Sequence, residues 1–127
     1  MKNNNKIFLG EFIASCFLVM VIVGSGIMAE NLTNDNAVRL LANTIATGAG
    51  LFVLITAFAN ISGAHLNPFV SLSMYLTKRI KGKELLTFIP AQILGCLLGV
   101  MLANVFFEHS IIAVSYTHLT LPTTLQV

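Results

Sequence analysis

The chain has 127 residues, of which 56% are hydrophobic and 9% are charged, with a formal net charge of +2. Because roughly a quarter of the residues in soluble domains are charged, this composition excludes an ordinary soluble enzyme, and its high hydropathy argues against a disordered or nucleic-acid-binding chain. A mean hydropathy of +0.85 in a chain of one-domain length indicates a single domain built for the lipid bilayer.

Three apolar stretches are each long enough to cross a membrane. They comprise residues 7–29, 37–59 and 85–107. A helix of this length rises roughly 35 Å, which exceeds the hydrocarbon core of ~30 Å. The first stretch follows lysines, as a cleaved secretory signal does, but it is longer than the apolar part of a signal and contains Glu11. We therefore expect three transmembrane helices.

Basic residues predict the orientation, because Lys and Arg near the ends of membrane helices stay on the cytoplasmic side. Lys2 and Lys6 precede the first stretch, and four more basic residues lie in residues 78–83, here called the basic loop. Arg39, the remaining basic residue, lies near the start of the second stretch. We expect a cytoplasmic N-terminus, residues 31–36 outside and the basic loop inside.

A shorter apolar segment, residues 61–77, is predicted to enter the membrane without crossing it. Asn67 and Pro68 form a strong helix start, since Asn caps helix N-termini and Pro suits the first helical position. A helix over 67–77 rises about 16 Å, roughly half of the hydrocarbon core. Both ends of the segment must lie in the cytoplasm, so we expect residues 61–66 to go in as extended chain and the half-helix to come back out. An amphipathic helix lying on the membrane surface is the alternative, although such helices have a strongly charged face.

A re-entrant segment places polar backbone near the membrane midplane. The N-terminus of the half-helix carries unpaired N–H groups and about half a positive charge. We expect the Asn67 amide to donate hydrogen bonds to a passing molecule, and the carbonyl groups of Gly63, Ala64 and His65 to accept them. The His65 imidazole suits either the lumen or a bond that supports the loop.

Glu11 is an acid inside a predicted span, a position at which carboxylates are functional by default. We expect it to hold the re-entrant segment by accepting hydrogen bonds from backbone N–H groups, with proton transfer as the alternative. Other polar or small residues recur at helical spacing and predict lumen-facing sides of the first two spans: Ser15, Ile22 and Ser25 with Glu11, and Asn43, Thr47 and Gly50. Gln92 and Asn104 are the polar residues of the third span.

Small residues also mark the third span. Gly95 and Gly99 form a GxxxG motif that Ala103 continues, a pattern typical of closely packed membrane helices. Cys16 and Cys96 lie in apolar stretches without metal-ligand spacing and are interpreted as small core residues. No metal, cofactor or catalytic residue is expected.

Residues 62–68, Ser-Gly-Ala-His-Leu-Asn-Pro, closely resemble the first signature loop of the major intrinsic protein family, the aquaporins and glycerol facilitators. Residues 10–12, Gly-Glu-Phe, look like the Glu-Phe of the family's first helix, and residues 91–95 look like the Ala-Gln-x-x-Gly of its third. The resemblance covers roughly residues 7–110. It implies an all-α membrane protein in which residues 1–114 form the first aquaporin-like repeat, with three transmembrane helices and one re-entrant half-helix.

The resemblance also implies passive flow of water or small neutral solutes through a pore in each subunit of a tetramer, and no enzymatic activity. A bacterial inner membrane is the expected location. The resemblance assigns pore-lining roles to Gly63, Ala64, His65, Asn67 and Pro68, and support of the loop to Glu11 and Gln92. Thr47, twenty residues before Asn67, matches a position of the family's extracellular constriction. Its small side chain indicates a wider filter, suited to glycerol or other uncharged hydroxylated solutes. Residues 24–32 and 45–48 are similar to a bacterial branch of the family linked with metalloid handling, including arsenite.

The sequence departs from the family pattern in three ways. Phe69 follows Asn67 and Pro68 where the family has Ala, which affects how closely a partner half-helix stacks. The second, inverted half with its own Asn-Pro motif and filter Arg is missing, so the chain is interpreted as an incomplete half-channel. A non-conducting fragment stabilised by helix packing is the alternative, and an antiparallel pair of copies is disfavoured by the basic bias. In residues 115–127 we recognise no segment of the family, and we interpret them as an atypical, non-native tail, with an exposed native tail as the alternative.

Overall fold

The computed structural model describes residues 3–108, which form four helices and no strand. The helices are α1 (Asn4–Leu32), α2 (Asn36–Phe58), α3 (Pro68–Leu76) and α4 (Gly82–Phe106). α1, α2 and α4 are long and apolar enough to cross a membrane. The predicted all-α membrane fold is therefore confirmed, while the predicted tail at 115–127 lies outside the described residues.

Two of the long helices begin at side-chain caps. The Asn3 carboxamide oxygen accepts a hydrogen bond from the Asn5 N–H at 3.1 Å at the start of α1. At the start of α2, the Asp35 carboxylate accepts from the N–H groups of Ala37 and Val38 at 2.8 and 3.2 Å. Such caps satisfy N–H groups that the first helical turn leaves unpaired. α1 extends beyond the apolar stretch of residues 7–29 at both ends.

The contacts between the long helices show their relative directions. Along α1 and α4, Phe12 contacts Gly95 and Gly24 lies against Phe107, so these two helices run parallel. Along α1 and α2 the order reverses, because Val21 contacts Gly50 whereas Ala14 packs with Leu54. The N-termini of α1 and α4 and the C-terminus of α2 therefore share one end of the bundle.

The GxxxG motif forms the crossing between α1 and α4. A Cβ atom on Gly95 would overlap the carbonyl oxygen of Phe12, and one on Gly99 would overlap that of Cys16. Ala103 continues this face and is 2% exposed. The predicted close packing is confirmed, since the two backbones touch where side chains are missing.

Residues 59–81 enter the bundle and return to the same end. The chain turns after α2, where the N–H of Ser62 donates to the Phe58 carbonyl at 3.0 Å. Leu66 then packs, buried, against Ala14 and Leu54, about one turn inside the end of α2. This path agrees with the predicted re-entrant segment.

α3 carries the chain back out, antiparallel to α4. Near its start, Ser71 contacts Gln92, eleven residues into α4 by position. Near its end, Tyr75 lies 3.7 Å from the position of a Cβ atom on Gly82, the first residue of α4. α3 thus begins within the bundle and ends level with the start of α4.

Candidate functional site

The Glu11 carboxylate is fully buried and accepts four hydrogen bonds. Its Oε1 atom accepts from the Ser62 hydroxyl at 2.7 Å and the His65 N–H at 3.0 Å. Its Oε2 atom accepts from the Leu66 N–H and the Gln92 amide, both at 2.8 Å. A buried carboxylate requires such donors, because burial removes its hydration. The four bonds tie the loop between α2 and α3 to both α1 and α4.

The backbone of this loop adopts an unusual conformation. Gly63, Ala64 and Leu66 have φ angles of 113°, 50° and 54°. For the two non-glycine residues such angles cost about 1–2 kcal/mol each. The conformation turns the N–H groups of His65 and Leu66 toward Glu11 as a concave anion site, so the hydrogen bonds offset the strain.

The same conformation orients the loop carbonyl groups. In a trans peptide the C=O points opposite to the N–H of the same peptide unit. Because the N–H groups of His65 and Leu66 point at Glu11, the carbonyl groups of Ala64 and His65 point away from it. The loop thus presents acceptors on the side opposite its anchor.

His65 contacts both α3 and α4. Its ring stacks on Phe88, with centroids 4.1 Å apart and planes 8° from parallel. Its Nδ1 atom lies 3.0 Å from the hydroxyl of Ser71, which in turn accepts from the Gln92 amide at 3.0 Å. Because the Gln92 amide donates to the Ser71 oxygen, the Ser71 hydroxyl keeps its own hydrogen for another acceptor such as Nδ1. The half-buried side chain has the contacts of a supporting residue while part of it stays accessible.

Asn67 and Pro68 begin α3 as predicted. The Asn67 Oδ1 atom accepts from the Phe69 N–H at 2.8 Å, and Pro68 occupies the first helical position. The cap occupies the acceptor of the exposed Asn67 amide, which leaves its Nδ2 donors for an external partner. Phe69 projects from the same turn and is 79% exposed.

Thr47 lies in a second polar cluster, between α1 and α2. The Asn43 Oδ1 atom accepts from Thr47 at 3.0 Å and from Ser25 at 3.1 Å. Thr47 lies two turns before Leu54, the residue against which Leu66 packs, and is therefore about 10 Å further from the shared end. The predicted site residues are thus divided between two levels: Gly63, Ala64, His65, Asn67, Pro68, Glu11 and Gln92 around the loop, and Thr47 beyond it.

The loop cluster contains three residues to which the sequence analysis gave no role: Ser62, Ser71 and Phe88. For two of them, helical spacing in the sequence could have predicted a place in the site. Ser71 follows Asn67 by four residues, and Phe88 precedes Gln92 by four, so each shares a helix face with a predicted site residue.

Comparison with known proteins identifies this arrangement. The family model described as "Major intrinsic protein" matches residues 1–125. The chain is 45% identical over 100 residues to "Aquaglyceroporin AqpS" of Rhizobium meliloti (strain 1021). This match covers 79% of this chain and 43% of that protein. It is 37% identical over 94 residues to "Aquaporin A" of Dictyostelium discoideum (74% of this chain, 34% of that protein). The corresponding match to "Aquaporin-4" of Rattus norvegicus is 31% over 94 residues (74% of this chain, 29% of that protein).

The chain spans less than half the length of each of these relatives. The match nevertheless includes the helices and the anchored loop described above, because it extends over residues 1–125. On this basis the chain belongs to the major intrinsic protein family.

Proposed function

We propose that the chain takes part in the passive movement of water or small neutral solutes across a membrane, and that residues 3–108 supply one half of the pore wall. The carrying observation is the anchored loop, which places the N-terminus of α3 inside the bundle. The Asn67 donors, the loop carbonyl groups and the accessible part of His65 form a polar path there. The positive end of the α3 dipole disfavours cations and protons on this path.

The size of the Thr47 side chain indicates which class of solute the proposed pore admits. Its side chain is small and half-buried, and its hydroxyl is held by Asn43 rather than by the loop. A constriction at this level with a threonine in place of an aromatic residue admits solutes wider than water. We propose that the pore admits glycerol-sized uncharged molecules, including hydroxylated metalloid species, and the similarity to a protein named "Aquaglyceroporin" supports this.

The remaining pore wall is proposed to come from a second, inverted repeat. A half-helix from that repeat would meet α3 at Phe69, whose exposed ring would separate the two helix ends more than an alanine would. The complete channel is proposed to be a tetramer in a bacterial inner membrane, with the N-terminus of α1 in the cytoplasm. The excess of basic residues at that end supports the orientation.

Osmotic shrinkage of proteoliposomes, followed by stopped-flow light scattering, tests the proposal. One sample contains the full chain, and another a chimera in which residues 3–108 replace the matching segment of the Rhizobium meliloti relative. We expect the chimera to conduct water and glycerol well above empty liposomes. A correctly inserted chimera that conducts neither would contradict the proposed pore wall.

Asn67→Asp tests the pore role of the cap residue in that chimera. Aspartate caps a helix as well as asparagine, so the fold should be kept. The added charge on the path and the lost donors should lower permeability about tenfold, or ~1.4 kcal/mol in the barrier. Asn5→Asp, at an exposed position in the first turn of α1, is the matched control and should conduct normally. Equal permeability in both variants would remove Asn67 from the pore.

Thr47→Phe tests the solute filter. The larger ring should reduce glycerol permeability more than water permeability, because it narrows the path without closing it. Thr44→Phe is the control, since Thr44 is exposed on the same helix one turn earlier. A similar glycerol permeability in both variants would show that Thr47 does not face the solute.

A further inference from the structure

The described basic residues are concentrated at one end of the bundle. Because α1 and α4 run parallel, the start of α1 and the basic loop lie at the same end, here called the basic end. Its exposed basic side chains are Lys6, Lys78, Arg79, Lys81 and Lys83. Among the described residues, one acid, Glu84, lies with them, whereas the opposite end carries Arg39 with Glu30, Asp35 and Glu108.

Arg39 differs from these residues because its donors are used within the protein. Its guanidinium donates to the Thr33 carbonyl at 2.7 Å and to the Glu30 carbonyl at 3.2 Å. It also approaches the side chains of Asn34 and Asn36, at 3.4 and 3.3 Å. Within residues 3–108, none of the five basic side chains at the basic end donates a hydrogen bond or forms an ion pair. Their charges are therefore available to an external partner.

Backbone hydrogen bonds fix the basic loop. The N–H groups of Lys78 and Arg79 donate to the carbonyl groups of Tyr75 and Met74 at 2.9 and 2.8 Å. The Lys81 N–H donates to the Glu84 carboxylate at 2.8 Å. The loop consequently presents its side chains from a fixed backbone, which lowers the entropy lost when they bind a partner.

Exposed apolar side chains adjoin the basic residues. Leu9, Leu76 and Leu86 are 58%, 69% and 75% exposed. Leu9 and Leu86 each lie three residues from Lys6 and Lys83, which corresponds to about 5 Å along a helix. Leu76 is the last residue of α3, two residues before Lys78. In an integral membrane protein such leucines face lipid chains, so the neighbouring ammonium groups reach the headgroup level.

We propose that the basic end binds the phosphate groups of anionic phospholipids in the adjoining leaflet. Clusters of Lys and Arg beside membrane helices attract anionic lipids, by about fivefold in affinity for each charge. The lipid chains lie along the exposed leucines while the headgroups contact the ammonium and guanidinium groups. The proposal does not depend on what the pore conducts.

Native mass spectrometry of the detergent-solubilised full chain tests the proposal. The protein is incubated with equal amounts of dioleoylphosphatidylglycerol and dioleoylphosphatidylcholine, and the bound lipids are counted. We expect the wild-type chain to prefer phosphatidylglycerol at least about tenfold. In K6Q/K78Q/R79Q/K81Q/K83Q the preference should fall to near equality, whereas K78R/K81R/K83R should keep it. Circular dichroism of each variant shows whether the helices are intact.

Three outcomes at low salt would overturn the proposal. They are equal binding of the two lipids by the wild-type chain, an undiminished preference in a folded glutamine variant, and loss of the preference when inorganic phosphate is added at the lipid concentration. The last would indicate a site for soluble phosphate. Raising NaCl to about 0.5 M should weaken a preference carried by exposed charges, and an unchanged preference would also count against it.

Discussion

Glu11 places a carboxylate inside the helix bundle, where four donors take the place of its hydration shell. Two of those donors are backbone N–H groups of a loop in a strained conformation. The carboxylate therefore selects one loop conformation among those that the chain could adopt. Its effect on the loop acts through these two backbone N–H groups and the Ser62 hydroxyl, so it depends on the path of the chain and on one loop side chain.

Glu11→Gln should destabilise the protein by about 3 kcal/mol, because a neutral amide loses the charge-assisted bonds and directs an N–H₂ group at donors. The thermal unfolding midpoint in detergent measures the change. Glu30→Gln, an exposed acid on the same helix, should leave the midpoint nearly unchanged. Equal midpoints for both variants would show that Glu11 does not hold the loop.

At the level of single residues, sequence reasoning reached the groups whose chemistry is unusual for their surroundings. A carboxylate inside an apolar span and an Asn-Pro pair in an apolar segment both stand out in the sequence. Ser71 and Phe88 do not, since a serine or a phenylalanine in a membrane helix is ordinary. Their contacts with His65 depend on how α3 packs on α4. Ser15, predicted to face a lumen, is instead fully buried.

At the level of elements, the crossing of α1 and α4 depends on two missing side chains. The Gly95 and Gly99 positions contact the backbone of α1 directly. In lipid such close approach is a main source of helix association, because apolar surface gains little by leaving the hydrocarbon. We therefore expect this crossing to be the part of the bundle that least tolerates larger side chains.

Gly95→Ala and Gly99→Ala should each destabilise the protein by about 2–3 kcal/mol, because the new methyl group forces two backbones apart. Gly48→Ala provides the control. A Cβ atom there meets no atom within 4 Å apart from its chain neighbours and the adjacent backbone of its own helix, and alanine favours helix. This variant should therefore be unchanged or more stable by up to about 1 kcal/mol. Unfolding of the three variants in one detergent compares them directly, and equal effects would contradict the crossing.

Helix positions were predictable but helix ends were less so. Hydropathy detects the part of a helix that lies in hydrocarbon, whereas the helix itself continues until a cap ends it. α1 begins at Asn4 and α4 at Gly82, each three residues before the predicted span. α3 spans Pro68–Leu76, with the predicted end residues Asn67 and Thr77 as its caps. That short helix was well predicted because its start signal is a strong local one.

At the level of the whole molecule, family membership and the three apolar helices describe an integral membrane protein. The family consists of passive channels, so the expectation that the chain is not an enzyme is confirmed. The parallel direction of α1 and α4 agrees with the topology predicted from the basic residues. It follows from the single crossing between them, since α2 crosses once and the returning segment does not cross.

The orientation is testable by thiol labelling in a Cys16→Ala, Cys96→Ala background. Asn34→Cys, between α1 and α2, should react with a membrane-impermeant maleimide in intact cells. Lys81→Cys, at the basic end, should react only after the membrane is permeabilised. This follows from the retention of basic residues in the cytoplasm. The reverse pattern would place the basic end outside.

The close packing of α1 and α4 at Gly95 and Gly99 also affects the position of the loop. Gly95 lies three residues after Gln92, and its contact Phe12 is the neighbour of Glu11, so one helical turn separates the backbone contact from the bond between Glu11 and Gln92. The distance between the α1 and α4 backbones at the crossing therefore determines whether the hydrogen bond between Gln92 and Glu11 can stay at 2.8 Å. It also determines the position at which Glu11 holds the loop. An added methyl group on either glycine, far from any polar atom of the loop, would then displace the carbonyl groups that we propose line the solute path. The width of that proposed path would in this way depend on two glycine hydrogen atoms of α4.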